Sequence, residues 1–190
     1  MQKKRLLSIG VVSLLFVVIY FGINQIWPIV GIDWKETFYP AARAVLDGKS
    51  PYLVPTLRNA PWTILLLLPF ALFSETAGGI LFFIVSFGLY AWTAYRLKAS
   101  RIALAVFLLS PPVVYGLKML NVDVFVLIGF TLPASIGLFF VLIKPQMGIA
   151  MIPFWLAKAY QQGGVKQAVQ TFMPVTIALA LSFLLFGNWL

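Results

Sequence analysis

The sequence predicts an all-α, polytopic membrane protein of about six or seven membrane helices with two interfacial helices at its outer face. Three observations predict it. The 190-residue chain is 62% apolar and only 10% charged, where soluble domains carry about a quarter charged residues. Its charges fall in short interruptions between long apolar runs, and several runs reach the roughly twenty residues that a helix needs to cross a core about 30 Å thick. Fourteen basic residues against five acidic give +9, but they are dispersed between apolar runs, so anionic lipid headgroups and not nucleic acid are the expected counterions. The chain has no cysteine and no histidine, which excludes disulfides, thiolate nucleophiles and the usual neutral-pH proton shuttle. Chemistry must run on carboxylates, Lys, Arg, Tyr and amides.

Taken in order, Lys3, Lys4 and Arg5 precede the first uncharged run, whose length and lack of a small-residue cleavage site predict an uncleaved first span over 6–27. The positive-inside rule holds the N-terminus in the cytoplasm, puts Trp27 at the opposite interface and turns 28–76 outward as a loop. In this loop Thr37 can cap a helix over 37–47, Pro40 suits its first turn and Gly48 the left-handed position that ends it. Phe38, Ala41, Ala42, Val45 and Leu46 give that helix an apolar face, with Lys35, Glu36, Arg43 and Asp47 opposite, as expected for a helix resting on a leaflet. The run 61–73 would reach only about 20 Å as a helix. It is expected to lie flat, which also returns Arg96, Lys98 and Arg101 to the cytoplasm.

The remaining membrane helices fall within 77–190. Thr76–Tyr95 is a clear span, and Ile102–Leu117 becomes one if Lys118 snorkels and the helix continues through Leu120, leaving Asn121 and Asp123 outside. Val124–Ile143 is either one span or two half-length helices bent at Pro133. The charge pattern favours the bend, with Lys144 outside and Lys158 and Lys166 inside. A shorter run, Pro145–Ala157, and a final span over Gln167–Leu190 complete a single membrane domain, 1–190, without repeat or linker.

The outer loop holds the candidate chemistry. Asp33 stands where the first span has ended; it is either a solvated loop charge or a catalytic carboxylate. Tyr39 and Arg43 share a helix face four residues apart, and Tyr52 with Arg58 would bring a second phosphate-binding cation to the same surface. Asn121 and Asp123 read equally as the start of a helix or as substrate contacts.

The ordered pattern of Asp33, Phe38-Tyr39-x-Ala-Ala-Arg43, Gly48-x-x-Pro51-Tyr52, Pro61-Trp62, Pro69-Phe70, Asn121-x-Asp123 and Ile143-Lys144-Pro145-Gln146 resembles the polyprenyl-phosphate-sugar-dependent glycosyltransferases of the C-type membrane fold, in particular the bacterial alpha-mannosyltransferase-like group. The likeness covers the N-terminal module of such enzymes. Leu120-Asn121 stands where relatives carry Gly-Gln, and the stretch between Asn121 and Lys144 is compressed. The resemblance implies an extracytoplasmic active site in which Asp33 is the catalytic base. A hexose, of the mannose kind, would be transferred from a polyprenyl-phosphate donor to a glycan or lipid acceptor, with inversion. Since the phosphate leaving group is already anionic, the second carboxyl of a glycoside hydrolase is not needed.

By the same resemblance Arg43, Arg58 and Lys144 are candidate phosphate contacts, Gln146 a donor to a sugar hydroxyl, and Tyr39, Tyr52, Asn121 and Asp123 further substrate contacts. No cofactor is assigned; a divalent cation between Asp33 and Asp123 stays open. A partner subunit is expected if the module is half of a larger enzyme. Trp27, Trp34 and Trp62 are expected in an outer aromatic belt. Two other functions fit the residues: a small transporter or flippase, from the helix-breaking Pro133 and Pro153 beside Lys144, and a noncatalytic partner retaining the fold.

Overall fold

The computed structural model describes residues 31–188, and within them the chain is entirely helical and loop, without a strand. The expected first span, 6–27, with Lys3, Lys4, Arg5 and Trp27, lies outside the described residues.

The outer-loop helix begins earlier than its sequence signals suggest. A π-helical turn, Trp34–Phe38, runs straight into α1, Tyr39–Leu46, with Asp33 at the capping position and Thr37 inside the turn. The cause is burial. Trp34 and Phe38 are 1% and 4% exposed, and the Trp34 indole donates a hydrogen bond to the Glu75 carbonyl at 2.9 Å. Trp34 is therefore a core residue and not part of a belt. At the other end Gly48 has the left-handed φ of 72°, with Lys49 N bonded to Ala44 O at 2.8 Å and Gly48 N to Val45 O at 3.0 Å. This is the paired closure that a glycine after the last turn permits.

A short 3-10 turn, Pro51–Leu53, leads to α2, Pro61–Ala71, which ends two residues before the expected boundary. Its eleven residues make a helix of about 17 Å, too short to span, and it packs between α1 and the next helix. That helix, α3, Glu75–Arg96, is 22 residues long, starts on the Ser74 hydroxyl and satisfies the length and apolarity of a membrane span. Gly78 and Gly79 leave room on it for the Trp34 ring.

Helices α4, Arg101–Leu108, and α5, Pro111–Met119, meet at a 51° bend, so the straight span expected from Ile102 to Leu120 is broken. Pro111 is responsible: proline excludes the residue before it from the helical region, and Ser110 is extended at φ −67°, ψ 144°. Leu120 closes α5 in the left-handed conformation, φ 54°. That costs about 1 kcal/mol for a non-glycine residue, whereas burying a leucine contributes about 2 kcal/mol. With 2% exposure, the burial wins.

Beyond it α6, Asp123–Gly129, and α7, Ala134–Val141, form a hairpin of half-length helices broken at Pro133, the bent alternative. Their close approach depends on glycine, since a Cβ on Gly137 would lie 2.5 Å from the Gly129 carbonyl oxygen. A four-residue helix α8, Pro145–Gly148, precedes α9, Met151–Phe186. Non-helical angles at Gly163 and Gly164 divide α9 into arms 151–162 and 165–186. Trp155 and Val175, one from each arm, pack in one cluster with Leu138 and Val141. The Tyr52 and Phe186 rings meet edge-on at 5.5 Å, so the second arm ends beside the 51–53 turn.

The described residues do not support six or seven spans. Among the described residues two helices, Glu75–Arg96 and Met151–Phe186, are long and apolar enough to cross a membrane, or three spans if the bent α4–α5 pair counts as one. Prolines and glycines cut the other uncharged runs into pieces of four to eleven residues. On the second arm Val165, Val169, Met173, Ile177 and Leu181 recur every fourth residue and are all at least half exposed. Such an apolar face requires an apolar surrounding, which agrees with a membrane location.

Candidate functional site

Four separate pieces of chain meet at the end of the molecule that carries α1 and α2. The π-helical turn and its cap supply Thr37 and Asp33, the loop after the 3-10 turn supplies Thr56, Arg58 and Asn59, the α5–α6 junction supplies Asn121, and the stretch from the end of α7 into α8 supplies Ile143, Lys144 and Gln146. They enclose an open cavity of about 200 Å³. Local folding explains the convergence. Gly31 N donates to the Lys118 carbonyl at 2.6 Å, which ties the start of the turn to the end of α5. The Asn59 amide donates to the Ile143 carbonyl at 2.9 Å, and the Trp62 indole to the Phe139 carbonyl at 2.8 Å. Trp62 is therefore a clamp between α2 and α7.

A continuous polar chain runs through the site. Asn121 Nδ2 donates to Asp33 Oδ2 at 2.6 Å. Lys144 Nζ approaches Asn121 Oδ1 at 3.4 Å and Asp123 Oδ1 at 2.6 Å, the latter as an ion pair. Burial raises the Asp33 carboxyl above the usual carboxylate range, opposed by the Asn121 hydrogen bond and the Lys144 charge. A carboxylate so placed is a better proton acceptor than a free one. Oδ2 is occupied by Asn121, and Oδ1 has no protein partner among the described residues. Arg58 is exposed at the rim and has no carboxylate partner among the described residues. Two cations, a carboxylate, three side-chain amides and two hydroxyls thus share one concavity, an arrangement able to hold an anionic group and a polyol beside a base.

Of the residues singled out by sequence, Asp33, Arg58, Asn121, Lys144 and Gln146 line the cavity, and Asp123 stands behind Lys144. Three do not line it. Tyr39 OH donates to the Phe73 carbonyl at 3.3 Å and Arg43 to the Ala71 carbonyl at 3.4 Å, so both hold α1 against the C-terminal end of α2. Arg43 also faces Asp47 at 3.9 Å, one turn along its own helix. Tyr52 OH donates to the Asn59 carbonyl at 2.8 Å and shapes the loop that carries Arg58; burial pushes its phenol up. The face shared by Tyr39 and Arg43 is real, but it is spent on helix packing.

Thr56 and Asn59 are cavity residues that sequence reasoning missed, and Thr37 was assigned only as a cap. Thr37 Oγ1 donates to Thr56 Oγ1 at 2.7 Å, and Thr56 Oγ1 in turn to the Glu36 carbonyl at 3.2 Å. The available signal was a polar pair, Arg58-Asn59, immediately before an apolar helix. Among the described residues no three His, Cys, Asp or Glu side chains cluster as metal ligands. Between the two acids once considered for a divalent cation, it is the Lys144 ammonium that pairs with Asp123. Comparisons of the chain with family models, curated proteins and solved structures give no match.

Proposed function

We propose that this protein is a membrane glycosyltransferase that transfers a hexose from a polyprenyl-phosphate donor to an acceptor hydroxyl on the extracytoplasmic side, with inversion. The single observation that carries the reading is the half-buried Asp33 carboxylate facing the same cavity as Arg58 and Lys144. In the reaction, Asp33 takes the proton of the acceptor hydroxyl as its oxygen forms a bond to the anomeric carbon. The bond from that carbon to the phosphate oxygen breaks, and the electron pair leaves with the polyprenyl phosphate. Arg58 and Lys144 stabilise the charge gathering there, Lys144 with the one ammonium hydrogen not given to Asp123 or Asn121. Gln146, Thr56 and Asn59 orient the sugar hydroxyls.

The neighbourhood of the cavity supports an amphiphilic donor. An apolar groove of about 180 Å³, lined by Trp62, Leu66, Phe139 and Phe140, shares Ile143 with the polar cavity. An anionic head and an apolar tail would lie on the two sides of that residue. Mannose as the sugar, a glycan or lipid as the acceptor, and a multi-pass topology with a cytoplasmic N-terminus belong to the same proposal, as does a partner subunit completing the enzyme.

The test is reconstitution of the full chain in liposomes with radiolabelled polyprenyl-phosphate hexoses and a panel of acceptors. The expected result is product formation that Asp33→Asn abolishes while the variant folds as the parent does. Transfer by Asp33→Asn at the parental rate would overturn the assignment of the base. Donor that crosses the bilayer intact in both proteins would favour a flippase.

A further inference from the structure

A second, larger cavity of about 450 Å³ lies at the elbow of α9, against the tip of the α6–α7 hairpin. Part of its wall is apolar, with Phe130 and Trp155, while Ser135, Lys158, Gln162 and Gln167 bring a hydroxyl, a cation and two amides to the larger, polar part. Nothing in the reaction above uses these residues. No Asp or Glu occurs between 124 and 190, and neither Lys158 nor the nearby Lys166 has a carboxylate partner among the described residues.

The position of the elbow follows from helix length. The arm 165–186 climbs about 33 Å at 1.5 Å per residue and ends against Tyr52. That is the thickness of a bilayer core, so this arm alone is long enough to cross one, with the elbow at its charged end. Lys158 and Lys166 on either side of Gly163 and Gly164 are placed at headgroup level, where ammonium groups remain hydrated.

The geometry points to a binding site for one anionic phospholipid in this elbow. Its phosphate rests on Lys158 with hydrogen bonds from the Gln162 and Gln167 amides, and its first acyl carbons lie along Phe130 and Trp155. Charge complementarity selects the head, since the cavity brings a cation and amide donors with no acid. The apolar part of the wall, Phe130 and Trp155, selects a lipid over a free anion. This site shares no lining residue with the Asp33 cavity and does not depend on the function proposed for that cavity.

Native mass spectrometry of the full chain in detergent, titrated with phosphatidylglycerol, phosphatidylcholine or inorganic phosphate, tests the site. Lys158 is exposed, so Lys158→Gln is expected to fold normally; Lys98→Gln, outside this cavity, serves as control. The expected result is one retained phosphatidylglycerol per chain, bound about fivefold more weakly by Lys158→Gln, the loss typical of one surface cation facing an anionic lipid, and unchanged in the control. Inorganic phosphate should not displace it. Equal retention by parent and Lys158→Gln, equal binding of phosphatidylcholine, or full displacement by inorganic phosphate would each overturn the proposal.

Discussion

Replacing Asn121 by alanine should raise the Asp33 carboxyl further and leave Lys144 in place. The amide donates to the carboxylate at 2.6 Å, which favours the ionised form and so holds the titration down against the burial that raises it. A hydrogen bond to a charged acceptor contributes about 1.5 to 3 kcal/mol, and the half-buried position of Asp33 argues for the lower end. At about 1.4 kcal/mol per pH unit, the midpoint should move up by about one unit. The assay is carboxyl carbon-13 magnetic resonance on protein labelled only at aspartate. The sequence has three, Asp33, Asp47 and Asp123, so three signals are expected, and Asp47→Asn removes one for assignment. An Asp33 signal that titrates in Asn121→Ala at or below its parental midpoint would refute the reasoning. If Asp33 is the base, the acid limb of transfer activity moves upward with it.

Because the folded midpoint of Asp33 lies above the free value of 3.8, the group adds stability below that value and loses it as pH rises through the folded midpoint. Asp33→Asn should therefore melt higher than the parent at neutral pH, with the difference vanishing below about pH 4, as thermal unfolding in detergent will show. Gly137→Val forces a Cβ to 2.5 Å from the Gly129 carbonyl oxygen and 2.8 Å from the Trp155 ring, so it should cost about 2 to 3 kcal/mol, against about 1 kcal/mol for Gly48→Ala, where only the left-handed backbone resists; denaturant unfolding will rank the two. Lys144→Met strands the Asp123 carboxylate and should cost more than the double change Lys144→Met with Asp123→Asn, a coupling read from the four melting curves of the cycle. The chain has no native cysteine, so Thr56→Cys and Gln162→Cys report sidedness, and an impermeant maleimide should reach them from opposite faces of the membrane.

Local signals were legible in the sequence where one short segment decides the outcome. The apolar spacing of 38–46 and the glycine at 48 suffice for α1, because the helix is closed by its own backbone. Its start was misread because the deciding force is the burial of Trp34 against α3, whose hydrogen-bond partner, the Glu75 carbonyl, is 41 residues away. The Trp62 clamp is equally non-local, with a partner 77 residues away. Charges used as boundaries give more spans than the described residues support. Ser110-Pro111-Pro112 and Gly163-Gly164 carry no charge, yet the backbone turns at both. In the site, the acidic, basic and amide members were visible as residue types, while Thr56 and Asn59 were hidden in an unremarkable loop. What was not visible is that Tyr39 and Arg43 face α2 and not the cavity.

The polar chain from Asp123 to Asp33 settles which way the Asn121 amide must face. Were the amide turned over, its NH2 would meet the Lys144 ammonium and its carbonyl would meet the Asp33 carboxylate, two repulsions in place of two attractions. The ion pair of 2.6 Å between Lys144 and Asp123 keeps the ammonium 3.4 Å from Asn121 Oδ1. This places the amide hydrogens on Asp33. Asp123 therefore acts on Asp33 in two opposed ways. Its charge repels the ionised carboxylate directly, and by holding Lys144 it keeps in place the cation and the amide that favour ionisation. Removing Asp123 alone releases the lysine as well as the repulsion, so its effect on Asp33 follows from where Lys144 goes. Only with Lys144 held does the ammonium keep its place on the cavity wall beside Asn121.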